Sequence, residues 1–139
     1  MNTKIHTTNY QDTFIEVATD TKAVNGTKPP SKGDKKSIAK LQYELIAKHP
    51  YQYTSDDVLF QVFAERNDLT TAEYKQAREQ FFSKGQACLR ASPLTKTYGF
   101  GVHCDSHGKV AIYGVETQAY EKFVVDGQLK KVKAMRSKR

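Results

Sequence analysis

The stretch YGFGVHCDSHGKVAIYGV (98–115) reads as two strands around a turn. In Tyr98–Cys104, Tyr98, Phe100 and Val102 alternate with Gly99, Gly101 and His103. Lys109–Val115 is a second strand, and Asp105–Gly108 is the turn between them. A turn of two or four residues puts Phe100 on one face with Tyr113, and Val102 on that face with Ala111. Gly99, Gly101, Gly114, His103, Val110 and Ile112 then share the other face. A glycine-lined face admits a closely packed helix or a ligand. If every helix packs on the bulky face, the thin one is a dimer interface, so the expected state is monomer or homodimer.

Working outward, Thr13–Ala18 (TFIEVA) and Ala87–Ala91 are the other two strands expected. Three main helices precede the hairpin. One runs over about Ser37–Lys48, with Ile38, Leu41, Leu45 and Ile46 at helical spacing and Pro50 beyond its end. The second follows Ser55 as N-cap, with Asp56 and Asp57 in its positive first turn and Leu59, Val62 and Phe63 as its buried side. These paired acids read as capping groups rather than as catalytic carboxylates. Thr70 and Glu73 have capping-box spacing for the third, which places Tyr74, Ala77 and Phe81 on one face before Gly85. A short helix covers Thr117–Phe123. Gln128–Arg136 reads as a last helical turn or two, with Leu129, Val132 and Met135 along one edge. The sum is an α+β fold in two layers: an antiparallel sheet of about four strands, with three main helices on its bulky face.

A chain of 139 residues that is 38% hydrophobic, with seven Phe and eight Tyr, builds one domain with a real core. The segment 19–36, with Asn25-Gly26, Pro29-Pro30 and Gly33, reads as a mobile loop. No apolar run reaches the roughly 18 residues of a membrane span, and Met1–Tyr10 lacks the plan of a signal peptide. A cytoplasmic protein is therefore expected, with Cys88 and Cys104 as free thiols. Charge is polarised. Six of the 22 basic residues lie in 128–139, a stretch with no acid, which leaves 16 against 15 acids elsewhere. This basic C-terminal tail, through Lys130, Lys131, Lys133, Arg136, Lys138 and Arg139, is a candidate contact for nucleic-acid phosphates, although no aromatic residue is interleaved for base stacking. Its bland alternative is a solvated end.

The stretch densest in chemistry is SKGQACLRASPLTKTY (83–98). Lys84, Arg90 and Lys96 supply charge, and Gln86, Ser92 and Tyr98 supply hydrogen bonds. Gly99 and Gly101 supply room for a phosphate- or carboxylate-bearing ligand or partner. It lacks the P-loop spacing, and an ordinary polar connection is the competing reading. Cys88 with His103 or His49 would be a nucleophile pair for a small enzyme. His103, Cys104 and His107 fall short of a zinc site without distant ligands such as His6 or His49, so neither metal nor cofactor is expected. Binding of an anionic ligand is the favoured function, with the Cys/His enzyme and the nucleic-acid-binding tail as alternatives.

The stretches HTTNYQDTFIEV (6–17), HPYQYTSDDVLF (49–60), FFSKGQACLRASPLTKTYGFGVH (81–103) and KAMRSKR (133–139) together resemble a family of small bacterial proteins known only as a domain of unknown function. The resemblance spans nearly the whole chain apart from 22–36. It implies a bacterial cytoplasmic protein in which the tail is part of the pattern, and it brings no activity or catalytic residue.

Overall fold

The computed structural model describes residues 6–31 and 36–137. Its strands are β1 (Thr13–Glu16), β2 (Phe100–Cys104), β3 (Val110–Gly114) and β4 (Lys130–Lys133). They form one sheet in the order β3-β2-β1-β4. Its helices are α1 (Ile38–Lys48), α2 (Ser55–Arg66), α3 (Tyr74–Phe81), the one-turn α4 (Pro93–Lys96) and α5 (Gln118–Val125), with 3-10 turns at Thr71–Glu73 and Leu89–Ala91. The architecture is α+β.

The hairpin forms with a register different from the one expected. Phe100 opposes Gly114, Gly101 opposes Tyr113, Val102 opposes Ile112 and His103 opposes Ala111. The connection is odd in length because Asp105 turns the chain. Its carboxylate accepts from the His107 and Lys109 amides, each at 2.9 Å, and Gly108 follows at φ +79°. One residue of slip exchanges the faces. Phe100, Val102 and Cys104 therefore share a side with Ile112 and Val110, whereas Gly101 and His103 share theirs with Tyr113 and Ala111. The first side carries the main core, where Ile15, Val102 and Val110 meet Ile46 of α1, Val58 of α2, and Leu89 and Leu94.

The sheet is mixed, not antiparallel. β1 runs antiparallel to β2, but β4 lies parallel to β1 in the register Thr13↔Lys130 to Glu16↔Lys133. The tail expected to be helical is this strand. The strand expected at Ala87–Ala91 is instead a 3-10 turn leading into α4. Ser92 Oγ accepts from the Leu94 amide at 3.0 Å and Pro93 takes the first helical position, both of which favour a helix start. The layering also differs, because α5 covers the second face of the sheet. Tyr120 and Phe123 pack on Phe14, and Tyr120 Oη accepts from the Val17 amide at 2.9 Å. Helices thus lie on both sides.

The expected caps form with small shifts. Ser37, expected as the first residue of α1, is instead its N-cap through the Lys40 amide, and Thr70 and Glu73 form their capping box. The N-cap of α2 is Thr54, one residue before the one expected, in a reciprocal capping box with Asp57. Asp56 does something else. Its carboxylate accepts from Thr7 Oγ1, the Thr8 amide and Thr8 Oγ1, each at 2.7 Å, and its own amide donates to Asn9 Oδ1 at 2.9 Å. This latch fastens residues 7–9 to the start of α2. Residues 19–31 contain no helix or strand, and the Gly26 and Thr27 amides donate to Glu116 and to the Tyr98 carbonyl. Residues 32–35 of the expected loop lie outside the described residues.

Candidate functional site

The polar groups of 83–98 are largely engaged with the protein itself. Arg90 Nε donates to the Lys133 carbonyl at 2.7 Å, and the Arg90 carbonyl accepts from the Met135 amide at 2.8 Å. Arg90 is thereby the clasp that holds β4 and the residues after it. Gln86 Nε2 donates to the Phe81 carbonyl at 2.7 Å. Tyr98 packs against the main core and its carbonyl accepts from Thr27. The space beside Gly99 is taken by the Asn25 carbonyl and Ala23, and the space beside Gly101 by Phe14 and Tyr120. Lys84 is exposed and Lys96 half-buried, and neither has an ion-pair partner among the described residues. These residues do not converge on one anion.

Cys88 and His103 are not brought together. His103 lies on the α5 side of the sheet, stacked on Phe123 with centroids 4.3 Å apart at 14°. Cys88 lies on the α1–α2 side, with Sγ 3.8 Å from Tyr10 Oη. His49 packs edge-on against Tyr53. His103 Nδ1 instead lies 2.7 Å from Tyr51 Oη, which lies 2.8 Å from Tyr113 Oη. Burial lowers the His103 pKa against the opposing pull of Asp105, Asp12 and Asp126. Cys104 is buried, which pushes its thiol up to about 12. Among the described residues no group of three or more His, Cys, Asp or Glu is placed to hold a metal ion.

Of the tail, Lys130 and Lys133 stand exposed on β4, and Lys131 Nζ donates to the Leu129 carbonyl at 2.9 Å and also to that of Asp126. Arg136 is exposed, and Lys138 and Arg139 lie outside the described residues. Among the described residues no helix is long and apolar enough to cross a membrane.

What the fold does assemble is a cavity of about 360 Å³ between α1, α2, the end of α3 and residues 86–93. Ile38, Leu59, Val62, Phe63, Phe81 and Pro93 give it apolar walls, and Cys88, Gln86 and Ser92 also face it. Gln42 supplies its most informative polar group. This residue is only 3% exposed and lines the cavity. Ser92 Oγ, already accepting from Leu94, spends its single proton on Gln42 Oε1 at 2.5 Å. Gln42 Nε2 makes no hydrogen bond among the described residues. Arg66, in the last turn of α2, also lines the cavity, and among the described residues no carboxylate lies within ion-pair reach of it. A shallower hollow of about 620 Å³ adjoins it across Phe63, Asn67 and Phe81 and brings in Lys84.

Of the residues singled out in the sequence, Gln86, Ser92 and Cys88 meet here. Gln42 and Arg66 carry no signal of their own, and the sequence places the wall residues Ile38, Leu59, Val62, Phe63 and Phe81 on the apolar faces of their helices. One signal was available: α2 carries Val58, Leu59, Phe60, Val62 and Phe63, so it is apolar on more than one face. Val58 enters the sheet core, Phe60 and Ala64 enter a second cluster with Phe82, and Leu59 and Phe63 are left half-buried at the cavity. No curated protein and no solved structure matches the chain. Residues 5–139, nearly all of it, match the family of unknown function DUF6157, and the protein belongs to that family.

Proposed function

We propose that the protein binds a small anionic ligand with an apolar body, such as the carboxylate of an alkyl or aryl chain, in the cavity between α1 and α2. The observation that carries this reading is the Gln42 amide, whose Nε2 has no hydrogen-bond partner among the described residues beside the apolar walls of the cavity. A ligand acceptor that pairs with this donor contributes about 0.5–1.5 kcal/mol net. Arg66 supplies a cation with no carboxylate in ion-pair reach among the described residues, so the ligand's charge belongs at that end. Mostly apolar walls with a few placed polar groups are the usual make-up of a small-molecule site. The anion is thus read in a place different from the 83–98 segment, although Gln86, Ser92 and Cys88 contribute walls.

The test is a titration of the protein with decanoate below its micelle concentration, with 1-decanol as the neutral control. A ligand at 100 times its dissociation constant adds about 2.7 kcal/mol, which raises the melting temperature by several degrees. Decanoate should give that rise and decanol a much smaller one. Arg66→Glu should weaken decanoate binding about tenfold or more, with the unliganded melting temperature nearly unchanged, because Arg66 holds no internal partner. Ala87→Trp, which fills the cavity from an exposed wall position, should abolish binding. Equal responses to acid and alcohol would remove the anionic part of the reading. No response to either would remove the site.

A further inference from the structure

On another side of α2, where its first turns meet α3 and the 52–53 turn, lies a second cleft of about 450 Å³ with the opposite chemistry. Its rim is made by Tyr53, Asp57, Gln61, Tyr74, Lys75 and Arg78, over a floor of Leu45, Val58 and Phe60. Arg78 is held before any ligand arrives. Its guanidinium carbon lies 5.7 Å from the Phe60 ring centroid and 5.4 Å from that of Phe82, and Nη2 donates to Asp57 Oδ1 at 3.0 Å. Asp57 is the cleft's single carboxylate, and it is spent twice, because its other oxygen accepts from the Thr54 amide at 3.0 Å. That leaves the remaining guanidinium donors of Arg78 uncommitted. Lys75, one turn earlier on α3, is exposed and has no ion-pair partner among the described residues. Tyr53 Oη makes no hydrogen bond among the described residues. Tyr74 Oη accepts from Gln61 Nε2 at 3.3 Å, so its own proton is available.

The cleft therefore offers donors in excess: two cations, one of them a rigid guanidinium fork, and two phenolic hydroxyls. The matching ligand is an anion with several acceptor oxygens. We infer that this cleft binds the phosphate group of a small phosphate monoester, with Arg78, Lys75 and the Tyr53 and Tyr74 hydroxyls on its oxygens and the ester's organic part over Leu45 and Val58. This site is separate from the α1–α2 cavity and does not depend on it.

Phenyl phosphate, inorganic phosphate and phenol are the probes, followed at low salt by calorimetry and by the side-chain NMR signals of Arg78, Tyr53 and Tyr74. Phenyl phosphate should bind tightest, inorganic phosphate more weakly and phenol not detectably, with shifts centred on these side chains. Lys75→Glu should weaken phenyl phosphate about tenfold or more while the melting temperature stays put, since Lys75 touches no partner. Tyr53→Phe should weaken it severalfold without unfolding, because only an unbonded hydroxyl is lost. No binding up to about 10 mM, weaker than any useful recognition, overturns the inference. So does equal affinity for inorganic phosphate, or a response unchanged in Lys75→Glu. Arg66→Glu, which targets the other cavity, should leave phenyl phosphate untouched, so failure at one site is distinguishable from failure at the other.

Discussion

His103 sits in the middle strand of the α5 face, with Tyr51 on Nδ1 and Phe123 stacked on its ring. Tyr51 is held there in the left-handed region, at φ 61°, by its amide's hydrogen bond to the Val110 carbonyl. A bulky residue in that region costs of order 1–3 kcal/mol. In return its hydroxyl bridges His103 and Tyr113. Burial is the largest influence on His103 and lowers its pKa from the ordinary value, while Asp105, Asp12 and Asp126 pull the other way and lose. The direction sets the pH dependence. As pH falls through about 6.5, the unfolded chain takes up a proton at this residue that the native protein still refuses, so stability drops. Above about pH 7 both states are neutral there and the contribution is flat. Urea unfolding midpoints should therefore fall between pH 7.5 and pH 5, and His103→Phe, which keeps a ring against Phe123, should reduce that fall. The other histidines are common to both proteins and cancel. An identical fall in the variant would show that His103 carries none of it.

At the scale of elements, the docking of α5 depends on one missing side chain. A Cβ on Gly101 would stand 2.5 Å from Phe14 Cζ and 2.6 Å from Tyr120 Cε2, and neither ring can retreat through the sheet. Gly101→Val should cost about 1–3 kcal/mol, seen as a fall in melting temperature of roughly 3–10 °C. An unchanged melting temperature would mean that α5 packs more loosely than the contact requires. The sequence made the β2 part of this thin face, Gly101 and His103, legible and offered a close-packed helix as one of its occupants, but it placed Val110, Ile112 and Gly114 there too. The elements with sharp local patterns were legible too, namely α1 from its helical spacing, the Thr70–Glu73 box and the hairpin strands. Three features were not, each because a non-local or single-residue effect outweighed the local pattern. The hairpin connection takes in Lys109, whose amide donates to the Asp105 carboxylate, and that one residue exchanges the faces. Residues 89–91 make a 3-10 turn into the helix that Ser92-Pro93 starts, where the pattern of 87–91 reads as extended. Lys130–Lys133, with one apolar residue among lysines, becomes a strand only because β1 offers a free edge. The cavity was legible in part, since Gln86, Ser92 and Cys88 adjoin in sequence. Gln42 reaches them from α1 through a contact fifty residues long.

For the whole molecule, the parallel pairing of β1 with β4 joins segments far apart in sequence, so the sheet is complete only when β4 is in place. The junction is dense. The Lys130 amide donates to the Asp12 carbonyl at 3.0 Å and the Ala134 amide to the Glu16 carbonyl at 2.9 Å. The Met135 amide donates to the Arg90 carbonyl at 2.8 Å, Arg90 Nε to the Lys133 carbonyl at 2.7 Å, and the Ser137 amide to the Asp20 carboxylate at 3.0 Å. Each such bond contributes about 0.5–1.5 kcal/mol net. The five together contribute about 2.5–7.5 kcal/mol, about half of the 5–15 kcal/mol that separates a folded domain of this kind from its unfolded state. Removing 128–139 also bares the ladder edge of β1 and uncovers Ala134's buried site, leaving polar groups of a central strand unpaired. The truncated protein should melt more than about 10 °C lower or fail to fold. Lys130→Glu with Lys133→Glu changes the charge of the same strand at two exposed positions and keeps its backbone, so it should fold with a melting temperature close to the parent's. The pair separates two roles for one basic segment. If the truncation melts like the parent, β4 is an appendage and its lysines are free to serve a phosphate backbone. If truncation unfolds the protein while the double charge reversal folds but loses affinity for an oligonucleotide at low salt, the strand does both. If the charge reversal leaves such affinity unchanged or finds none to lose, the basic residues serve the sheet edge, where lysines keep a bare strand from pairing with another chain.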